Sequence, residues 1–272
     1  MRERRLIINA DDYGICREVN ASVEELAEAG MLGGVSLLAN GVEAAAAMRY
    51  LQQHPALCAG AHLNAVEGRP LSAAPEVEIL TGKDGTFSGL AQVMQRWLLH
   101  PHTVTRALET EWRAQLERLL AAGLTLHHLD SHQHLHAFPP AFACAVKLAR
   151  AYGIKALRWP GERVPDRLRL AGALALRASL AVARRLNTPA GLRCNEHFLG
   201  FRQAGGYNVA KLLNDIAALP AGVTELAVHP SQQDRIPYPA YRGRGEHEAL
   251  LDAHFRQSLP ALDVKLISWT EA

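Results

Sequence analysis

A chain of 272 residues, 49% hydrophobic and 21% charged, can bury one large core, and its length suits a single domain over residues 1–272 better than two small ones. The net charge of +2 excludes the strongly basic balance of a nucleic-acid binder, so no nucleic-acid partner is expected. Cys16, Cys58, Cys144 and Cys194 stand far apart with no C-x-x-C pair, which excludes a zinc knuckle or disulfide framework and suits a reducing compartment.

In chain order, residues 6–10 read as a buried strand, and residues 18–29 as a helix striped by Val19, Val23 and Leu26 and stopped by Gly30. The apolar run before Asp11 is too short for a signal peptide, and no stretch approaches the ~18 residues of a membrane span, so a cytoplasmic location is expected. A strand over 34–39, an Ala-rich helix over 42–53 and a strand over 57–63 follow. The polar stretch 64–89, with Gly68, Pro70, Pro75 and the turn Lys83-Asp84-Gly85, predicts a loop or hairpin. Val104, Leu108, Trp112, Leu116 and Leu119 place a helix over 103–122, followed by a strand over 125–132, a helix over 140–152 and a strand over 154–159. Residues 166–186 read as a helix whose arginines either snorkel over the core or touch acidic lipid or an anionic substrate, so membrane-surface contact through segment 163–193 is one expectation. The remaining expected elements are a helix over 208–219, a strand over 224–229, a helix over 245–258 and a strand over 263–268.

Repeated βα units imply a parallel sheet, and seven or eight of them in this length favour a barrel-like α/β fold. Asp11, Asp12, His62, His132, Arg158 and His229 all fall at the carboxyl ends of expected strands, the face on which barrel enzymes assemble their sites. Between residues 128 and 136, His128, Asp130, His132, His134 and His136 occupy alternate positions and would share one face of an extended chain. At roughly 3.3 Å per residue the ends of that run lie about 26 Å apart, so one ion can take only one or two of these groups.

Asp12, His62 and His132 offer one carboxylate and two imidazoles, a donor set for a catalytic metal that leaves a position for water. Asp11 is then the candidate base and His229 the candidate acid. Arg158 can orient a substrate carboxylate. Trp159, His134, Tyr238 and Tyr241, at or after strand ends, are candidate substrate contacts, the aromatic rings as walls of the site.

Asn9-Ala-Asp-Asp-Tyr-Gly14, Gly60-Ala-His-Leu63, the run 128–136 with Phe138-Pro139, and Val228-His-Pro230 together resemble the YdjC-type carbohydrate deacetylases, in the same order from about residue 4 to 255. The resemblance implies a barrel-like fold, often dimeric, and a divalent metal, given as magnesium or zinc, that serves to remove the acetyl group from an N-acetylated amino sugar. The substrates of that family include chitooligosaccharides and hopanoid glycans. It also implies metal binding by Asp12, His62 and His132, with Asp11 as base and His229 as acid. Segments 163–193 and 232–245 match none of its motifs. Two other classes remain open: a phosphoesterase or amidohydrolase barrel, disfavoured because strand one carries Asp11 and Asp12 rather than His-x-His, and a non-catalytic metal- or sugar-binding protein.

Overall fold

The computed structural model describes residues 2–162, 170–186, 189–236 and 242–272 and, of residues 170–175 and 186, the backbone alone. Tyr238, Tyr241 and residues 163–169 of the arginine-rich segment lie outside the described residues. The chain begins with β1 (Arg4–Tyr13), α1 (Arg17–Glu28), β2 (Gly34–Leu37), α2 (Ala44–Gln53) and β3 (Ala59–Leu63). A long connection then carries the 3-10 helix Pro75–Leu80 and a small antiparallel bridge between Thr81 and Phe87. It leads to α3 (Leu90–Leu99), α4 (Pro101–Ala121), β4 (His128–Ser131), α5 (Pro139–Ala151) and β5 (Ala156–Leu157). The remainder is α6 (Leu170–Leu186), β6 (His197–Leu199), α7 (Val209–Ala217), β7 (Gly222–Val228), α8 (Arg244–Leu251), α9 (Ala253–Ser258) and β8 (Lys265–Leu266).

The strands form one parallel sheet in the order β5-β4-β3-β2-β1-β7-β6, with β8 beside the start of β1. It curls into a barrel-like wall with helices outside, and residues 193–196 span the gap between its ends. Leu157 N–H donates to the Arg193 carbonyl at 2.9 Å, and Glu196 N–H to the Val223 carbonyl at 2.9 Å. Between them the Asn195 side chain accepts from Trp159 N–H at 2.6 Å and donates to the Trp159 carbonyl at 2.9 Å, standing in for a ladder rung.

Period-two alternation explains what fills the wall. Leu6, Ile8 and Ala10 of β1 join the apolar layer under the helices, whereas Ile7, Cys58, Ala156, Val223, Ile267 and Trp269 form a separate small core inside the sheet. One step further along the same strands the inward positions become polar: Asn9 and Asp11, Gly60 and His62, His128 and Asp130, Arg158, and Glu225. All of these polar side chains are buried. Trp269 closes the bottom, stacked on His128 with ring centroids 4.7 Å apart and donating to Asn9 Oδ1 at 3.2 Å. Gly60 is required here, since a Cβ at that position would lie 2.2 Å from His128 Nε2.

Four local expectations are corrected. The strand expected to 132 ends at Ser131, and Gln133 and His134 follow with φ of 50° and 54°, so the alternation from 128 to 136 breaks after His132. The helix α3 and the three-residue β6 were not expected. Finally, the helix expected over 245–258 breaks at Asp252, whose carboxylate instead caps α9 by accepting from Phe255 N–H at 3.0 Å.

Candidate active site

Two consecutive strand residues point to opposite faces, so Asp11 and Asp12 can share one mouth only if the strand is irregular. The β1–β2 register slips between Ala10 and Tyr13, and Asp12 takes φ of 61°, a conformation uncommon for a non-glycine residue. That bulge turns both carboxylates into the cavity at the carboxyl ends of the strands. The cavity has a volume of about 1050 Å³, and Asp11, Asp12, His62, His132, His134 and His229 all line it. Glu67 and Phe87 form one wall, Phe201 and Arg242 another.

At its floor Asp12, His62 and His132 offer ligand atoms all within 4.8 Å of one another. Asp12 Oδ1 lies 2.7 Å from His132 Nδ1 and 3.3 Å from His62 Nε2. Each imidazole is held from behind by a second carboxylate. His62 Nδ1 meets Asp130 Oδ1 at 2.8 Å, and His132 Nε2 meets Glu67 Oε2 at 2.8 Å. Burial works against a charged imidazole, yet Asp130 and Asp12 lift His62 to about 10, and Asp12 and Glu67 lift His132 to about 9. Burial alone would raise Asp12, but the two imidazoles hold it well below the usual carboxylate range. The carboxylates thus favour positive charge on both imidazoles, charge that one divalent cation could equally supply. Donor types, convergence and charge fit such an ion. A second buried group, Asp11, His62 and Asp130, has similar spacing, but Arg158 and Ser36 already engage its carboxylates.

Arg158 is fully buried and faces three carboxylates. It forks onto both oxygens of Asp11 at 2.6 Å, reaches Asp130 Oδ2 at 2.8 Å, and donates from Nε to Glu225 Oε1 at 2.7 Å. Burial disfavours its charge, and Asp11, Asp130 and Glu225 hold it well above the ordinary range all the same. The expectation that Arg158 orients a substrate carboxylate is corrected: its donors are spent inside the barrel, and it does not line the cavity. Burial pushes Glu225 up to about 8 despite the guanidinium. Asp11 Oδ1 also accepts from Asn9 Nδ2 at 2.8 Å. Of the roughly four lone-pair sites of a carboxylate, one on Oδ2 is left for the cavity.

The remaining histidines of the run separate. His128 Nε2 lies 3.0 Å from Ser36 Oγ under the floor, and burial pushes it down to about 3. His136 is tied to Ser131 Oγ at 2.6 Å and to the Arg158 carbonyl at 3.1 Å, bracing the strand end, and burial pushes it down to about 4. His134 reaches the cavity wall, edge-on to Phe198, with burial and Arg158 keeping its pKa well below the usual value. Trp159 lies elsewhere, against Phe142 and Arg184 beside a separate cavity of about 560 Å³, which removes it from the wall expected of it. Tyr241 lies outside the described residues. Sequence reasoning overlooked Glu67, which sits in a connection read as plain loop, and gave Asp130 no role in holding His62.

The family model described as YdjC-like protein matches residues 5–261. A carbohydrate deacetylase of Brevibacillus brevis is 30% identical over 98% of this chain and 99% of that protein. One from Oceanobacillus iheyensis is 34% identical, but the match spans 55% of this chain and 63% of that protein. A mouse carbohydrate deacetylase is 30% identical over 83% of this chain and 77% of its own length. Among solved structures, an Enterococcus faecalis V583 protein provisionally described as a cellobiose-phosphate cleavage protein superposes with a TM-score of 0.74, at 21% identity over 99% of this chain and 98% of that one, a likeness of fold. Among the described residues no helix is long and apolar enough to cross a membrane.

Proposed function

Because the chain belongs to the YdjC-like family, we propose that it is a carbohydrate deacetylase, cleaving the amide of an N-acetylated amino sugar to release acetate and leave the free amine. The observation that carries this reading is the convergence of Asp12, His62 and His132 at the floor of a cavity that Asp11 and His229 also line. Asp12, His62 and His132 would hold Mg2+ or Zn2+, which would supply Lewis-acid chemistry toward the amide carbonyl and water. Asp11 takes the proton from the attacking water through its remaining Oδ2 lone pair, while Arg158 and Asn9 keep the carboxylate aimed. His229 gives a proton to the departing amine. Phe87 and Phe201 offer apolar surfaces to sugar ring faces, and His134, beside Phe201, a polar contact.

The direct test is acetate release from a panel of N-acetylglucosamine oligomers and lipid-linked N-acetylated sugars, with the free amine counted in parallel. Equal amounts of acetate and amine are expected. Binding of the oligomers without acetate would favour a sugar-binding protein, and phosphate release from phosphoesters the phosphoesterase class.

A pH dependence follows from the two raised imidazoles. In the metal-free protein their contribution to stability is complete below about pH 6.5, the ordinary histidine value, and is lost as pH climbs through about 9 and 10. A metal must displace these protons, so the apparent Zn2+ affinity should rise steadily between about pH 6 and 8 with protons released on binding. Calorimetric titration in buffers of different ionisation enthalpy reads that release. An affinity flat across the range would contradict the ligand assignment.

A further inference from the structure

His62 and His132 present different nitrogens to Asp12. His62 turns Nε2 inward because Asp130 holds its Nδ1, whereas His132 turns Nδ1 inward because Glu67 holds its Nε2. The two rear carboxylates differ in setting. Asp130 is sealed in the barrel beside Arg158, with no exposed surface. Glu67 stands on the cavity wall, with its side chain 33% exposed, in the connection after β3.

A partly exposed glutamate on a loop would ordinarily be a weak partner, since ordering a long side chain costs entropy. The backbone here removes much of that freedom. Glu67 N–H donates to Asn64 Oδ1 at 3.2 Å, and its carbonyl accepts from Asn64 Nδ2 at 2.7 Å and from Asn40 Nδ2 at 3.1 Å. Asn64 is itself fixed to α4, its N–H donating to Gln115 Oε1 at 2.9 Å and its carbonyl accepting from Gln115 Nε2 at 2.6 Å. Farther along, the buried Glu111 of the same helix takes the N–H groups of Leu71 and Ser72, both at 2.9 Å. A loop pinned on both sides of one residue, with that residue aimed at a candidate ligand imidazole, is built to hold it.

We propose that Glu67 is the positioning residue of the metal centre: by accepting the Nε2 proton of His132 it fixes the ring and its tautomer, leaving Nδ1 as the donor to the ion. This rests on the assignment of Asp12, His62 and His132 as ligands. A carboxylate behind a ligand imidazole raises its basicity as well as setting its orientation, and loss of such a partner costs about 10–100-fold in metal affinity. Glutamine keeps an acceptor oxygen without the charge, so Glu67→Gln falls between the parent and Glu67→Ala.

The test is Zn2+ affinity by competition with a chromophoric chelator, with KM and kcat for acetate release measured on the metal-saturated proteins. The expected result is a loss of about 10–100-fold in Zn2+ affinity for Glu67→Ala, a smaller loss for Glu67→Gln, and far-ultraviolet circular dichroism spectra of both variants that match the parent's. Parent-like affinity in Glu67→Ala overturns the proposal, and with a raised KM it makes Glu67 a substrate contact instead. A parent protein that binds no Zn2+ at this site would refute the ligand assignment itself, an outcome distinct from the failure of Glu67 alone.

Discussion

Asp11→Asn is expected to slow acetate release by about 10²–10⁴-fold while the divalent ion stays bound, because the amide keeps the shape of the side chain but cannot accept the proton from water. Asp12 remains to complete the proposed ligand set from the neighbouring position in the irregular stretch of β1. The fold should survive, since Glu225, pushed up to about 8 by burial with Asp11 and Asp130 adding to it, can ionise and take over part of the charge facing Arg158. Metal content and single-turnover acetate release read the two halves of this expectation separately. Loss of the ion together with activity would make Asp11 a ligand, and retained activity would move the base elsewhere.

Arg158→Met is expected to destabilise the protein by about 3–5 kcal/mol, the usual cost of removing one partner from a buried ion network. That is a large part of the ~5–15 kcal/mol that holds a typical domain together. Asp130 and Glu225 are 0% exposed and do not line the cavity, so neither can recover hydration when the guanidinium is removed. Arg158→Lys should rescue little, because an ammonium cannot fork onto both oxygens of Asp11 while also meeting Glu225. The shift in the urea midpoint measures the effect. A loss within about 1 kcal/mol would mean that the carboxylates relax by taking up protons rather than depending on Arg158.

Much of the barrel was legible because its strands announce themselves. Leu6-Ile-Ile8 and Leu226-Ala-Val228 are apolar runs flanked by helical periods, and the sheet order follows from parallel connection. The placement of Asp11, Asp12, His62, His132 and His229 on one mouth was legible for the same reason: each stands at or just past the carboxyl end of a strand read from the sequence. What could not be read is whatever depends on backbone detail or on a neighbour distant in sequence. Nothing in Asp-Asp reveals the left-handed turn at Asp12, nor does His-Gln-His reveal the two left-handed residues that break the alternation. Arg158 looked available for substrate because its partners lie 147 and 67 residues away, on β1 and β7. Strand β6 is three residues long, too short for a period, and Glu67 gains meaning only when its loop is folded back over His132.

The measurement that bears most directly on the metal centre is the divalent ion content of the purified protein and of Asp12→Ala, taken with acetate release from an N-acetylglucosamine oligomer as the ion is stripped with chelator and returned. The expected result is a single tightly held ion per chain, none in Asp12→Ala, and acetate release that falls and recovers with the ion. Full acetate release from the ion-free protein, or an Asp12→Ala variant that holds its ion as tightly as the parent, would contradict it.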